Sequence, residues 1–286
     1  MKCLSLVTFL IGRFEIVPFT NKIVYVFPFI DKIWGELYYS RCVKEGYKKG
    51  EVLSQDHSLS VRVESIAVKL LEALRRESGR CHVLADQQWL VGDDGEVKLV
   101  KSCRRKDNDE SVRVRLKEGI DWEFFVLDVP MACSGYINIG KVLVFTGMFD
   151  RYKTDAELAI IIAHEVGHVV SRHAQRRLTW FPFKLYHRFI NGSDPEISYY
   201  LWHEQEADYI AMLLSASAGY DPRVALLALR KMKRDLKKLK GSEVPLLHLK
   251  ERIEFVSKPE VMQKAVSVHQ ERMGGQCTDR EYLVEK

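Results

Sequence analysis

His164, Glu165 and His168 interrupt the stretch AIIIAHEVGHVVSRH, which runs from Ala159 to His173 and is otherwise apolar as far as Val170. Placing such groups among Ile, Val and Ala costs free energy unless partners compensate. On an α-helix, residues four apart share a face, with Cβ atoms about 5–6 Å apart. His164 and His168 therefore offer two imidazoles side by side, and imidazole nitrogen ligates zinc at about 2.0–2.1 Å. Glu165 points about 100° away around the axis, where it can meet a water at the metal without being a ligand. This is the H-E-x-x-H arrangement of two ligands and a general base.

A catalytic zinc keeps three protein ligands and one open position, so a third ligand is expected downstream. The stretch YYLWHEQEADYIAMLL, Tyr199–Leu214, supplies it. Glu204 and Asp208 are four apart on one helix face. Glu204 reads as the third ligand. Asp208 reads as the acceptor of a hydrogen bond from a ligating imidazole, which fixes that ring's tautomer. Glu206 falls on a different face and is expected in solvent. His203 reads as a surface or internally satisfied histidine, and so do His173, His187 and His269.

Several elements must position these residues. Thr154 with Glu157 three residues later is a capping box, which predicts a helix from there through His168 to about Gln175. SLSVRVESIAVKLLEALRRESG, Ser58–Gly79, has apolar spacings of three and four and predicts an amphipathic helix ended by Gly79. VPFTNKIVYVFPF reads as a strand or hairpin, WLVGDDGEVKLV as a hairpin, and WEFFVLDV and GYINIGKVLVFTGMF as strands. Asp221 and Pro222 predict a helix start, with Leu229, Met232, Leu236 and Leu239 on its buried face. SCRRKDNDES reads as a solvated loop. Strands followed by helices predict an α+β domain, and the strand near Gly140–Thr146 is expected to offer an edge to an extended peptide.

Composition sets wider bounds. The 286 residues are 47% hydrophobic and 29% charged with a net charge of +5, which excludes the disordered class. The six scattered cysteines contain no C-x-x-C pair, which argues against a cysteine metal cluster and predicts reduced thiols. No apolar run reaches the ~18–20 residues of a membrane span. The opening MKCLSLVTFLIGRF reads as a first buried strand or a truncated start, with a weak signal sequence or an amphipathic anchor as the alternatives. The basic run Arg230–Lys240 lacks interleaved aromatics, so no nucleic acid partner is expected. RRLTWFPFKLYHRF, with Trp180, Phe181, Phe183 and Tyr186 among Arg177, Lys184 and Arg188, suits peripheral contact with a membrane.

HEVGHVVSRHAQR followed by HEQEADYIAMLL resembles the zinc metalloendopeptidases that include HtpX and the CAAX prenyl proteases, nearest to the mitochondrial inner-membrane stress proteases of the Oma type. The resemblance extends from about Val17 to Val256. It implies a mainly helical zincin-type α+β domain with a small mixed sheet. It also implies one Zn2+ per chain held by His164, His168 and Glu204, Glu165 as base, and Asp208 behind a ligand. The family's His-Pro element with an arginine six residues on is represented here by His248, without the proline, and by Arg252 four residues on. These two are offered as substrate or oxyanion contacts.

The expectation is a zinc endopeptidase acting on unfolded, flexible or membrane-associated polypeptide in protein quality control at the mitochondrial inner membrane, with oligomerisation open. An N-terminal strand region over 1–57, a metallopeptidase domain over 58–260 and a tail over 261–286 complete it. A zinc-binding scaffold without activity and a peripheral membrane module are the alternatives.

Overall fold

The computed structural model describes residues 12–85, 88–91, 97–100, 120–137, 139–177, 196–237 and 243–274. The opening stretch, the SCRRKDNDES loop and the aromatic-basic segment after Arg177 lie outside the described residues.

The chain opens with a hairpin, β1 (Arg13–Ile16) paired antiparallel to β2 (Ile23–Val26), and passes into α1 (Pro28–Tyr39). The long helix α2 (Ser58–Ala85) follows. It runs past Gly79 rather than ending there, since a single glycine weakens a helix by only ~1 kcal/mol. A second hairpin joins β3 (Gln88–Val91) and β4 (Val97–Val100). The third sheet has β7 (Lys141–Phe145) at its centre, parallel to β5 (Glu123–Leu127) and antiparallel to β6 (Ser134–Ile137). Gly140, with φ of 91°, makes the β6–β7 turn, a conformation open to glycine without steric cost. The edge expected at Gly140–Thr146 is therefore β6 instead: β7 is flanked on both sides, and all five of its residues read apolar or packed, as a central strand requires.

Four helices close the domain after the short helix Gly147–Arg151: α3 (Asp155–Val170), α4 (Glu196–Ser217), α5 (Val224–Leu236) and α6 (Glu243–Val256), with α7 (Pro259–Arg272) behind α4. α3 carries the expected capping box: Thr154 Oγ1 accepts from the Glu157 N–H at 3.2 Å, and Glu157 Oε2 accepts from the Thr154 N–H at 3.3 Å. The helix ends at Val170, short of Gln175, because Arg172 adopts φ of 55° and turns its guanidinium into a buried ion pair with Glu15 at 2.8 Å. Helical backbone resumes over 173–177. The helix after Asp221 begins at Val224 rather than Pro222, with the Asp221 carboxylate accepting from the Arg223 N–H at 2.9 Å.

Leu158, Ile162 and Val166 of α3, Ile210 and Leu214 of α4, Ile66, Leu70 and Leu74 of α2, and Val142 and Val144 of β7 form one core. A helix apolar on nearly all sides must lie inside a domain, and α3 does. Cys42 and Cys133 are free thiols. Among the described residues no helix is long and apolar enough to cross a membrane.

Candidate metal centre

α3 and α4 pack side by side, and their polar residues meet. His164 Nε2 lies 3.0 Å from His168 Nε2 and 3.3 Å from Glu204 Oε2, while His168 Nε2 lies 3.4 Å from Glu204 Oε1. These three side chains form a group able to hold a metal ion, with all ligand atoms within 4.8 Å of one another. Ligands 2.0–2.1 Å from a tetrahedral ion stand about 3.3 Å apart, and the spacings of 3.0–3.4 Å here are close to that.

A carboxylate stands behind His164. His164 Nδ1 is 2.9 Å from Asp208 Oδ1. A carboxylate only accepts, so Nδ1 faces it with a proton, and a metal at Nε2 would require the ring to be neutral. Asp208 is in turn gripped by Arg252 through two contacts of 2.7 Å, and Arg252 Nη1 reaches Glu204 Oε2 at 2.9 Å.

Three carboxylates, Glu165, Glu204 and Asp208, crowd this volume around Arg252, which bridges two of them, an environment that favours a further cation. Burial opposes charge on His164, yet Asp208 and Glu204 lift it to about 10. Burial and the neighbouring His164 push His168 well down. One imidazole can be a cation here, not two.

Glu165 is buried beside these candidate ligands, and burial raises its pKa. Its Oε1 accepts a hydrogen bond of 2.6 Å from the Ser134 hydroxyl on β6. Tyr136, two residues along that strand, stacks on His168 with ring centres 4.8 Å apart and planes 4° apart, and its hydroxyl accepts from Arg177. A cavity of about 820 Å³ opens over this cluster, lined by the ligands, Glu165, β6 and Arg252. Arg252 faces it but is committed to Asp208 and Glu204. His248 is not among the lining residues.

Two sequence expectations fail. Glu206 is 4% exposed rather than solvated. It holds His173 Nε2 at 3.1 Å, Arg176 Nη1 at 2.9 Å and Lys22 Nζ at 3.0 Å, and its pKa falls to about 2, the three partners outweighing burial. His203 is 2% exposed, and neither ring nitrogen has a hydrogen-bond partner, so it is neither a surface residue nor a satisfied one. Ser134, Tyr136 and the Glu206 cluster carried no motif. Ser134 and Tyr136 reach the cluster from another element, and Glu206 is buried by cations from other segments, neither of which helical periodicity describes.

A model of peptidase family M48 matches residues 113–189. That M48 match includes His164, Glu165 and His168 and stops before α4, so the part of Glu204 rests on geometry. Three mitochondrial metalloendopeptidases named OMA1 are similar to the chain: 28% identity over 95% of it for the Arabidopsis thaliana protein, 29% over 37% for that of Schizosaccharomyces pombe, and 24% over 64% for that of Saccharomyces cerevisiae. The chain spans 66%, 36% and 48% of the lengths of these relatives.

Proposed function

We propose that the chain is a zinc-dependent endopeptidase of the zincin type that hydrolyses unfolded or flexible polypeptide in mitochondrial protein quality control. The observation that carries this reading is the convergence of His164, His168 and Glu204 at tetrahedral spacing with Glu165 beside them on a cavity wall. The mitochondrial setting follows the names of the similar proteins.

Zinc held by His164, His168 and Glu204 would polarise the scissile carbonyl and acidify water. Glu165 takes a proton from the attacking water and returns it to the leaving nitrogen. Its raised pKa suits both steps, because a carboxylate that holds a proton more readily is a better base and a reachable acid. Ser134 donates to Oε1 and fixes the carboxylate's orientation, which leaves Oε2 for the proton transfer. The backbone of β6, at the sheet edge and along the cavity, suits antiparallel pairing with an extended substrate segment. Such pairing needs a strand free of its own tertiary partners, so unfolded or flexible segments are the class of substrate.

The test is cleavage of casein by purified protein, with metal content measured alongside. Cleavage that a chelator abolishes and added zinc restores is the expected result. Zinc-loaded protein that leaves casein intact would overturn the reading in favour of a zinc-binding scaffold.

A further inference from the structure

The two histidine ligands are supported differently. His164 reaches its carboxylate directly through Nδ1 and Asp208. His168 does not. Its Nδ1 lies 2.7 Å from Nδ1 of His173, and His173 Nε2 lies 3.1 Å from Glu206 Oε2. His173 is 1% exposed, sits just past the end of α3, and has no place in the chemistry proposed above.

The direction of this chain of contacts follows from its far end. Glu206 is bound by Arg176 and Lys22 as well as by His173. An ionised carboxylate only accepts, so His173 Nε2 must be the donor. Arg176 and Lys22 already compensate Glu206, so a neutral His173 satisfies the cluster. Its Nδ1 is then bare and accepts. The proton in the 2.7 Å contact belongs to His168 Nδ1, which leaves His168 Nε2 with its lone pair toward Glu204 and His164. With the opposite polarity, His168 would present an N–H where a metal needs a lone pair.

We propose that His173 is the positioning residue for His168, setting its tautomer and ring orientation for the metal by relaying the charge of Glu206. The inference rests on the metal-site reading above. It separates two buried histidines that meet ring to ring, 4.3 Å apart: His173, which lies in the relay, and His203, which does not.

Zinc affinity measured by competition with a chromophoric chelator tests it. His173→Phe keeps the ring and removes both nitrogens. The dissociation constant should rise about 10–100-fold, as for the loss of other groups behind a metal ligand. His203→Phe makes the same exchange against the same neighbour and should leave zinc affinity at the wild-type value. Equal affinities in His173→Phe and wild type, or equal losses in both variants, would overturn the inference while leaving the metal site standing. Wild-type protein that takes up no zinc would overturn the metal-site reading and this inference with it.

Long-range ¹H–¹⁵N spectra of the zinc-loaded wild-type protein test the polarity without a variant. His173 should be protonated at Nε2 and bare at Nδ1. A proton on Nδ1 of His173 would overturn the relay.

Discussion

Gly167 of α3 faces the backbone of Ala207 of α4 so closely that a Cβ at position 167 would stand 3.1 Å from the Ala207 carbonyl oxygen and 3.3 Å from its Cα. The neighbour is backbone, which cannot rotate aside. This contact lies one residue from His168 and three from Glu204, so it governs the gap across which the metal ligands meet.

Gly167→Ala should therefore weaken zinc binding. Alanine adds up to ~1 kcal/mol of helix propensity, but α4 must shift by a few tenths of an ångström, and the 3.3–3.4 Å spacings from Glu204 to the histidines widen with it. Chelator competition reads the change. Wild-type zinc affinity in a folded Gly167→Ala chain would show that the helix gap does not set the ligand geometry.

Glu165→Gln separates binding from chemistry. Glutamine keeps the shape and can still meet the Ser134 hydroxyl, and the ligands are untouched, so zinc content should match wild type. Turnover on casein should fall by about 10²–10⁴-fold, the span of general acid–base catalysis. Turnover at the wild-type rate would remove Glu165 as the base.

Among the ligands, His164→Ala, His168→Ala and Glu204→Ala should each abolish stoichiometric zinc. Asp208→Ala should weaken it by about 10–100-fold and lower the melting temperature too, because Arg252 would stay buried with only Glu204 to meet it. Metal analysis and thermal melts check both parts. Full zinc affinity in Glu204→Ala would send the search for a third ligand elsewhere.

Ser134→Ala removes the 2.6 Å hydrogen bond that orients Glu165. No ligand is touched, so zinc affinity should hold. The loss should fall on kcat, about tenfold, which corresponds to ~1.4 kcal/mol of transition-state stabilisation. Steady-state kinetics on a fluorogenic peptide would show it. A loss confined to KM would make Ser134 a substrate contact instead.

Glu157 supplies the pH dependence. Burial opposes its charge, but Lys231 and the Thr154 cap hold its pKa below 4.5. A depressed carboxylate stabilises the fold fully above its unfolded pKa of about 4.5 and loses that contribution as pH falls through the lower folded value. Wild type should thus lose stability below about pH 4.5 more steeply than Glu157→Gln, which starts less stable and lacks the titrating group. Denaturant melts across pH 2–7 measure the difference, and parallel curves would exclude Glu157 as a contributor.

The amino-acid sequence alone determined the parts whose partners are near in the chain. Four-residue spacing placed His164 beside His168 and Glu204 beside Asp208. Thr154 and Glu157 marked the start of α3, because a capping box is made entirely of local contacts. The apolar run around His164 showed that the helix is buried. The tertiary structure decided what depends on residues far apart in sequence. Arg172 ends α3 early because its partner is Glu15, 157 positions away. Glu206 is buried rather than solvated because its cations come from Lys22 and Arg176, on other segments. β7 rather than β6 became the central strand because β5 pairs with it across the intervening chain. No local period encodes such distant pairings, since burial energy and charge compensation depend on which surfaces meet when the chain closes on itself.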